Sequence, residues 1–128
     1  MKPSDKLVSV IMPMYNSMPF IREAIESVQA QTYGNWELCL ADGSLDEALG
    51  QFISKKYGSD KRIKYTHLSD NLGISENTNA AIALATGDYI VLSDHDDTLA
   101  PNAMYECVAA INKDRTIARY AFKNIFSE

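Results

Sequence analysis

The stretch LVSVIMPMYN at residues 7–16 decides the fold class. Its first six residues are almost continuously apolar and rich in β-branched side chains, which is typical of a strand buried on both faces of a parallel sheet. Pro13 is expected to end this strand. Asn16 or Ser17 as N-cap, with Pro19 in the first turn, then predicts a helix, because these residue types are favoured or tolerated at those positions.

Three further pairs of a strand and a helix follow along the chain. Strands are predicted at residues 36–41, 62–67 and 88–92, with a weaker pattern at 116–122, and helices at about 74–86 and from Pro101. Residues 44–47 (SLDE) have the form of a capping box that opens the second helix. Strict alternation predicts one α/β domain over residues 1–128, with a mainly parallel sheet, right-handed crossovers and helices on both faces. The apolar residues expected to face inward are Ile21, Ala24, Ile25, Val28, Leu45, Leu49, Phe52, Ile53, Ile74, Ala81, Ile82, Ala85, Met104, Val108 and Ile111.

The composition is that of an ordinary soluble domain. The 128 residues include 12 Lys and Arg against 17 Asp and Glu, a formal net charge of −5, and 46% are hydrophobic. These values exclude a disordered chain and a disulfide-stapled miniprotein, and the acidic balance argues against nucleic-acid binding. Cys39 and Cys107 are expected to be reduced core thiols of a cytoplasmic protein. The polar start does not resemble a secretory signal, and no apolar stretch approaches the ~20 residues that span a bilayer.

Unusual polar residues cluster where the predicted strands end. In such sheets, ligands bind beyond the carboxyl ends of the strands, at the point where the strand order reverses. The residues found there are Pro13, Tyr15 and Asn16 after the first strand, Asp42 after the second, Asp70 to Gly73 after the third and Asp94 to Asp97 after the fourth. Polar chemistry is therefore expected to converge on one edge of the sheet.

The strongest local signal is the block Asp94-His95-Asp96-Asp97. Three carboxylates this close repel one another unless a cation lies among them. Hard oxygen ligands on a short loop suit Mg²⁺ or Mn²⁺, which also bind substrate phosphates. The alternative is a solvated acidic turn in which Asp97 or Thr98 caps the next helix. His95 could be a ligand or an acid–base group, or only a hydrogen-bonding residue.

Asp42 and Tyr15 give weaker signals. The Asp42 carboxylate could accept hydrogen bonds from a nucleobase imide or a ribose hydroxyl, or it could only form a turn. Tyr15 could stack on a base or simply pack. Asn71 and Gly73 are also compatible with ordinary turn chemistry, and His67 has no partner in the sequence and is given no role. Neither a glycine-rich phosphate loop nor a nucleophile elbow is present in the sequence.

Several short motifs follow one another along the chain. They are VSVIMPMYN at residues 8–16, AIESV at 24–28, QTY at 31–33, WEL at 36–38, DGS at 42–44, Asn71-x-Gly73, Asn79-x-Ala81, ATGDYI at 85–90 and Asp94-x-Asp96-Asp97. Each motif is weak by itself. Their order and spacing over about residues 7–112 resemble those of the family 2 glycosyltransferases.

The resemblance implies the Rossmann-like GT-A fold of nucleotide-diphospho-sugar transferases, whose N-terminal half binds the donor. By this resemblance, the base and ribose pocket is lined by Pro13, Tyr15 and Asn16, and Asp42 contacts the base. The nucleotide sugar is also contacted by Asn71, Gly73 and Asp96. The resemblance further implies that Asp97, with Asp96 or Asp94, holds Mg²⁺ or Mn²⁺ on the diphosphate. Such a metal neutralises charge on the leaving diphosphate, while a general base deprotonates the acceptor hydroxyl.

Two departures from the family pattern matter. Many relatives carry two consecutive aspartates after the second strand, and the first of these positions is Ala41 here. Nucleotide affinity should be weak if Ala41 occupies the base-contacting position, and little affected if Asp42 does. The family's acceptor half and general base are expected beyond residue 128, so the chain is expected to be a truncated donor-binding part. Truncation would leave apolar surface through which a homo-oligomer could form.

The expected function of the whole protein is transfer of a sugar from a UDP- or dTDP-linked donor to a glycan acceptor in surface polysaccharide synthesis. The expected location is cytoplasmic, with peripheral contact to the inner face of the membrane through missing regions. The alternative is a truncated, non-catalytic nucleotide-sugar-binding domain. A phospho-receiver domain is disfavoured because the first strand does not end in an acidic pair, and a nucleotidyltransferase because the glycine-rich loop is absent from the sequence.

Overall fold

A computed structural model describes residues 6–68, 73–93 and 98–113 of the chain. Four strands and four helices alternate within these ranges: β1 (Val8–Met14), α1 (Met18–Gln29), β2 (Trp36–Asp42), α2 (Ala48–Tyr57), β3 (Ile63–His67), α3 (Ile74–Ile82), β4 (Tyr89–Leu92) and α4 (Ala103–Lys113). All three strand pairs of this sheet are parallel. The predicted α/β class is therefore confirmed, whereas the predicted strand at residues 116–122 lies outside the described residues.

The order of the strands across the sheet is β3-β2-β1-β4. The chain moves outward from β1 to β3 and then returns across the sheet to place β4 beside β1, so the strand order reverses between β1 and β4. β1 pairs with β2 from Val8 to Met14, but with β4 only from Val8 to Ile11. Among the described strands, the carboxyl end of β1 therefore has a neighbour on one side only.

Helices cover both faces of the sheet, as predicted. α1, α2 and α4 pack on one face, where the largest fully buried side chains are Met12, Met14, Ile21, Ile25, Trp36, Leu38, Leu40, Leu49 and Met104. α3 packs on the other face against β1 and β2, around Ile11, Cys39, Ala41 and Ala81. Within the described ranges, no helix combines the length and the apolar character that crossing a membrane requires.

Both cysteines are free thiols buried in the domain, as the sequence predicted. Burial raises the pKa of Cys39 to about 11 and that of Cys107 to about 12. Because the thiolate is the reactive form, both side chains are expected to be poor nucleophiles at neutral pH.

β1 continues through Pro13, where the sequence predicted its end. Pro13 lies opposite Ala41 of β2 in the parallel register. On the other side of β1, the carbonyl of Ile11 accepts a hydrogen bond from the N–H of Ser93 (2.9 Å). Because backbone groups alternate along a strand, Pro13 also turns its nitrogen to that side, beyond the end of β4 at Leu92. The missing N–H of proline therefore costs no hydrogen bond to the described strands.

The capping box predicted at residues 44–47 is wrong. α2 begins only at Ala48, and its N-cap residue Glu47 makes no side-chain hydrogen bond to the helix. The carboxylate of Asp46 accepts the N–H of Ala48 instead (3.1 Å). The hydroxyl of Ser44 instead accepts a hydrogen bond from the backbone N–H of Asn16 (2.8 Å). Leu45, which was predicted to face the core, lies before the helix and is 79% exposed. The Ser44 hydroxyl that the capping box required is thus used in a tertiary hydrogen bond to Asn16.

The remaining predictions for the helices are mostly confirmed. Ser17 is the N-cap residue of α1, with proline in the first turn. The predicted inward residues found buried are Ile21, Ala24, Ile25, Val28, Leu49, Ile53, Ala81, Met104 and Val108, with Phe52 and Ala85 partly buried against them. Ile82 is an exception because α3 ends there, not at Thr86, and its side chain is 37% exposed. The side chains of Ile74 and Ile111 lie outside the described set.

A buried carboxylate, Glu37 on β2, fixes the segment that follows α3. It accepts hydrogen bonds from the hydroxyl of Ser9 (2.6 Å) and from both the backbone N–H and the hydroxyl of Thr86. Lys64 of β3 forms an ion pair with Glu37 (2.8 Å) and also donates to the carbonyl of Leu84 (3.0 Å). We call these residues the Glu37 clamp. The clamp holds residues 84–86 off the helical path, which explains the early end of α3.

The Glu37 clamp makes the stability of the fold depend on pH. Burial raises the pKa of Glu37, but hydrogen bonds from Lys64, Ser9 and Thr86 outweigh it and lower the pKa from 4.5 to about 2. A carboxyl group whose pKa is lower in the folded state stabilises the protein above its unfolded pKa. This contribution should therefore be complete above pH 4.5 and disappear as the pH falls toward 2.

Glu37→Gln should lower the free energy of unfolding by about 2 kcal/mol at pH 7, because charged hydrogen bonds are lost and a part-buried lysine loses its partner. Urea unfolding at several pH values measures this loss, which should shrink below pH 4.5. The matched control is Glu26→Gln, which removes an exposed ion pair with Arg22 and should have a much smaller effect. Equal stability of Glu37→Gln and the wild type at pH 7 would contradict the role of the clamp.

Gly87 lies where the chain passes closest to β1. A Cβ atom at this position would overlap the hydroxyl of Ser9 and lie 2.7 Å from the carbonyl oxygen of Leu7, whereas a Cβ atom at Gly34 would meet nothing within 4 Å. Gly87→Ala should therefore destabilise the protein by about 2 kcal/mol, and Gly34→Ala should not. Thermal unfolding of both variants tests this, and equal melting temperatures would show that the close approach is tolerated.

Candidate functional site

Backbone hydrogen bonds join three loops at the carboxyl edge of the sheet. The carbonyl of Met14 accepts from the N–H of Gly43 (2.9 Å), and the carbonyl of Asp42 accepts from the N–H of Leu68 (2.8 Å). The loops after β1, β2 and β3 are thus held side by side. Of the predicted site residues, this edge carries Pro13, Tyr15, Asn16 and Asp42, whereas Asn71, Asp94, Asp96 and Asp97 lie outside the described residues.

The turn between β1 and α1 is held by two serine hydroxyls. Ser17 accepts a hydrogen bond from the backbone N–H of Tyr15 (3.1 Å), and Ser44 accepts one from the backbone N–H of Asn16 (2.8 Å). Asn16 has a positive φ of 51°. The side chain of Tyr15 is 40% exposed, and that of Asn16 is also exposed. Two side chains that could meet a ligand thus project from a turn whose backbone is fixed.

Asp42 is fully buried at the end of β2. One carboxylate oxygen accepts a hydrogen bond from the backbone N–H of Ser44 (2.9 Å), and the other accepts one from the hydroxyl of Tyr65 (2.7 Å). Burial and the neighbouring Asp42 raise the pKa of Tyr65, so its hydroxyl remains a donor. In this arrangement Asp42 organises the loop after β2, and a ligand could reach it only if that loop moved.

Ser44, Tyr65 and His67 belong to this edge although the sequence did not identify them as site residues. His67 lies at the end of β3 with its ring Nε2 atom 2.8 Å from the carbonyl oxygen of Ser44. Tyr65 lies in a strand with a weak pattern, and Ser44 was assigned to a capping box. Their bonds join different strands, so spacing along the chain gave no signal for them.

Ala41 and Asp42 point to opposite faces of the sheet. Ala41 is buried with Ile11, Cys39 and Ala81 beneath α3, whereas Asp42 reaches Tyr65 on the other face. A carboxylate at position 41 would therefore lie in an apolar cluster. Of these two residues, Asp42 is the one whose side chain bonds to other groups at the carboxyl edge.

Pro13 and Gly73 contribute to the backbone structure near the carboxyl edge of the sheet. Pro13 is buried within β1 and contributes no exposed polar group. Gly73 precedes α3 with a φ of +96°, which glycine adopts readily. Its carbonyl accepts the N–H of Asn77 (2.9 Å) at the first turn of the helix.

A small cavity lies between the loops that follow β1 and β2. It has a volume of about 190 Å³ and is lined by Asn16, Ser17, Met18, Ser44, Asp46, Ala48 and Leu49. Pockets that enclose small ligands usually start at about 300 Å³. This cavity by itself therefore has room for only part of a nucleotide sugar. A larger cavity of about 460 Å³ lies on the other side of the loop, lined in part by Tyr65 and His67.

The described residues include no group of three His, Cys, Asp or Glu side chains that could hold a metal ion. The predicted ligands Asp94, Asp96 and Asp97 follow β4 directly in the sequence and are not among these residues. Mg²⁺ or Mn²⁺ binding therefore stays a prediction from the chemistry of three carboxylates on one short segment.

Comparison with known proteins shows extensive similarity. Chondroitin synthase of Pasteurella multocida is 38% identical over 113 residues, which cover 88% of this chain and 12% of the synthase. The crystal structure of S. aureus TarS in complex with UDP matches with a TM-score of 0.75 and 28% identity, over 84% of this chain and 32% of that one. The mannosyltransferase PcManGT of Pyrobaculum calidifontis, solved with GDP-Man and Mn²⁺, matches with a TM-score of 0.74 and 24% identity, over 83% and 32% of the two chains.

The chain spans about an eighth of the length of the synthase and a third of each solved chain. The fold of this chain is shared with these GT-A structures over part of their length. The model of the family described as glycosyl transferase family 2 matches residues 9–128. Because this match covers nearly the whole sequence, the chain belongs to glycosyl transferase family 2 and has part of the GT-A fold.

Proposed function

We propose that the chain is the donor-binding part of a glycosyltransferase that moves a sugar from a nucleoside diphosphate to a hydroxyl of a glycan acceptor in polysaccharide synthesis. One observation carries the proposal: the turns after β1 and β2 meet at the carboxyl edge of the sheet, beside the reversal of strand order. Sheets of this kind bind nucleotides at that position. Similarity to a chondroitin synthase and to TarS in complex with UDP supports it.

In this proposal the turn after β1 meets the nucleoside. Tyr15 is exposed and offers a ring face for stacking on the base, and the side-chain amide of Asn16 can hydrogen-bond to ribose. Pro13 forms the buried floor beneath them. Asn71, Gly73 and Asp96 complete the set of residues proposed to bind the nucleotide sugar.

Asp42 is proposed to read the base through its carboxylate. Uracil and thymine carry an imide N–H that donates to a carboxylate, which favours UDP or dTDP donors. Because Asp42 is fully buried, this contact requires the part of the loop beyond Ser44 to move aside when the nucleotide enters. Leu45, 79% exposed on that loop, has little packing to lose in such a movement.

Asp94, Asp96 and Asp97 are proposed to hold Mg²⁺ or Mn²⁺, because three carboxylates are the oxygen ligands that these ions prefer. When bound, such an ion neutralises charge on the leaving diphosphate. No general base is assigned to a residue of this chain.

Binding of a nucleotide sugar without transfer is the second candidate function. The chain spans about a third of the TarS chain, and no general base is assigned to it, whereas the residues proposed to bind the donor are part of it. Measurement of both nucleotide-sugar binding and sugar transfer distinguishes the two functions, because only a transferase shows turnover.

A cytoplasmic location, with peripheral contact to the inner face of the membrane, is part of the proposal, and so is self-association. Buried reduced thiols suit a reducing compartment. Ile90 and Leu92 of β4 are 42% and 59% exposed and offer apolar surface to a second copy.

Asp97→Asn should abolish metal-dependent binding of UDP, because it removes one negatively charged oxygen ligand. Calorimetric titration with UDP, with and without Mn²⁺, measures this. The matched control is Asp60→Asn, which changes an aspartate before β3 at the opposite edge of the sheet and should leave UDP binding intact. Binding by the wild type that does not depend on Mn²⁺ would remove the metal from the proposal.

Asp42→Asn should reduce the preference of the chain for UDP over CDP about tenfold, because cytosine lacks the imide N–H that a carboxylate accepts. Dissociation constants for both nucleotides, measured for the wild type and the variant, test this expectation. Equal loss of affinity for the two nucleotides would instead assign Asp42 a purely structural role.

A further inference from the structure

Asn16 adopts a backbone conformation that most residues avoid. Its φ of 51° makes it the only non-glycine residue with a positive φ in the described part of the chain. Asn tolerates the left-handed region better than most residues, but the conformation still costs free energy and persists only where surrounding groups hold it. The groups that bond to the backbone of this turn therefore help to keep Asn16 in place.

The hydroxyl of Ser44 provides this support from another loop. It accepts the backbone N–H of Asn16 at 2.8 Å, although the two residues are 28 positions apart in the sequence. Ser44 is itself fixed at two points, because its N–H donates to Asp42 (2.9 Å) and its carbonyl oxygen lies 2.8 Å from Nε2 of His67. With 3% of its surface exposed, Ser44 has little freedom to move.

We propose that Ser44 is a positioning residue for the nucleotide. It fixes the left-handed turn at Asn16 and so determines where Tyr15 and Asn16 meet the donor. The inference rests on the proposed function. Ser17 also bonds to the turn, at the N–H of Tyr15, but it lies in the same turn and moves with it. Ser44 differs because β2 and β3 anchor it.

The role of Ser44 predicts a specific loss of affinity. Ser44→Ala, in the chain of 128 residues, should raise the dissociation constant for UDP in the presence of Mn²⁺ about tenfold, equivalent to about 1.4 kcal/mol. The amide hydrogen of Asn16 should exchange faster with solvent in the same variant, because its acceptor is gone. Calorimetry and NMR hydrogen exchange measure the two effects.

Ser27→Ala is the matched control. The hydroxyl of Ser27 on α1 accepts the backbone N–H of Leu99 (3.1 Å), so this variant also loses one bond between a hydroxyl and a distant backbone group. Its hydroxyl also donates to the carbonyl of Ala24 within α1. Urea unfolding should show a comparable loss of stability in both variants, with UDP affinity and Asn16 exchange unchanged in Ser27→Ala.

The outcomes separate this inference from the proposed function. Unchanged UDP affinity in Ser44→Ala, or equal weakening in Ser27→Ala, overturns the positioning role and leaves nucleotide binding established. A wild type that binds none of UDP, dTDP and GDP contradicts the proposed function and the inference with it.

A second pair of variants decides the matter if Ser44→Ala does not fold. His67 is exposed, and its replacement by alanine frees the carbonyl of Ser44, whereas His67→Gln can keep a donor there. Faster exchange at Asn16 and weaker UDP binding in His67→Ala, both restored in His67→Gln, support the inference. Values equal to those of the wild type in both variants overturn it.

Discussion

The site depends on how β1 is paired. Among the described strands, β1 has two neighbours at its amino end and one at its carboxyl end, since β4 ends opposite Ile11 while β2 continues to Met14. Pairing with β2 keeps β1 extended to its last residue. Pro13, which lacks an N–H, turns its nitrogen away from β2 and so costs no hydrogen bond in that ladder. The turn that carries Tyr15 and Asn16 thus begins at a buried strand end that is firmly held.

Because side chains alternate between the two faces of β2, two buried carboxylates of this strand lie on opposite faces of the sheet and stabilise different segments. Glu37 lies on the α3 face and is fixed by Ser9, Lys64 and Thr86. Asp42 lies on the other face and is fixed by Ser44 and Tyr65. Buried carboxylates are expensive unless donors satisfy them, and both have such donors. The first anchors the return of the chain to β4, and the second anchors the loops at the edge, so each stabilises a segment that local propensity alone would leave free.

The sequence predicts the fold well because its signals are local. The apolar run of residues 7–12, the proline at position 19 and the helical spacing of Ile21, Ala24, Ile25 and Val28 each specify an element without reference to the rest of the chain. Alternation of strands and helices then leaves few possible topologies. The carboxyl edge follows from that topology, which is why Tyr15, Asn16 and Asp42 could be placed there.

The remaining details depend on contacts between residues that are distant in the sequence. Ser44 matches a capping box locally, but its hydroxyl bonds to Asn16, and Leu45 is therefore exposed. The end of α3 is set by the Glu37 clamp, which no helical pattern reveals. His67 acquires a partner only when β3 lies beside β2. In each of these cases, a tertiary interaction determines the local structure in place of the preference of the local sequence.

The strand order also has a consequence for synthesis of the chain. β1 is made first, but one of its partners, β4, is separated from it by about 80 residues along the chain. Pairing between strands so far apart in the sequence is slow, because the entropy of closing the loop is lost before the strand contacts stabilise the fold. Until β4 emerges from the ribosome, the nascent domain must carry an unpaired, strongly apolar strand edge, which is the kind of surface that templates wrong pairing between chains. The reversal of strand order is thus also the feature that leaves β1 incompletely paired for longest while the protein is being translated.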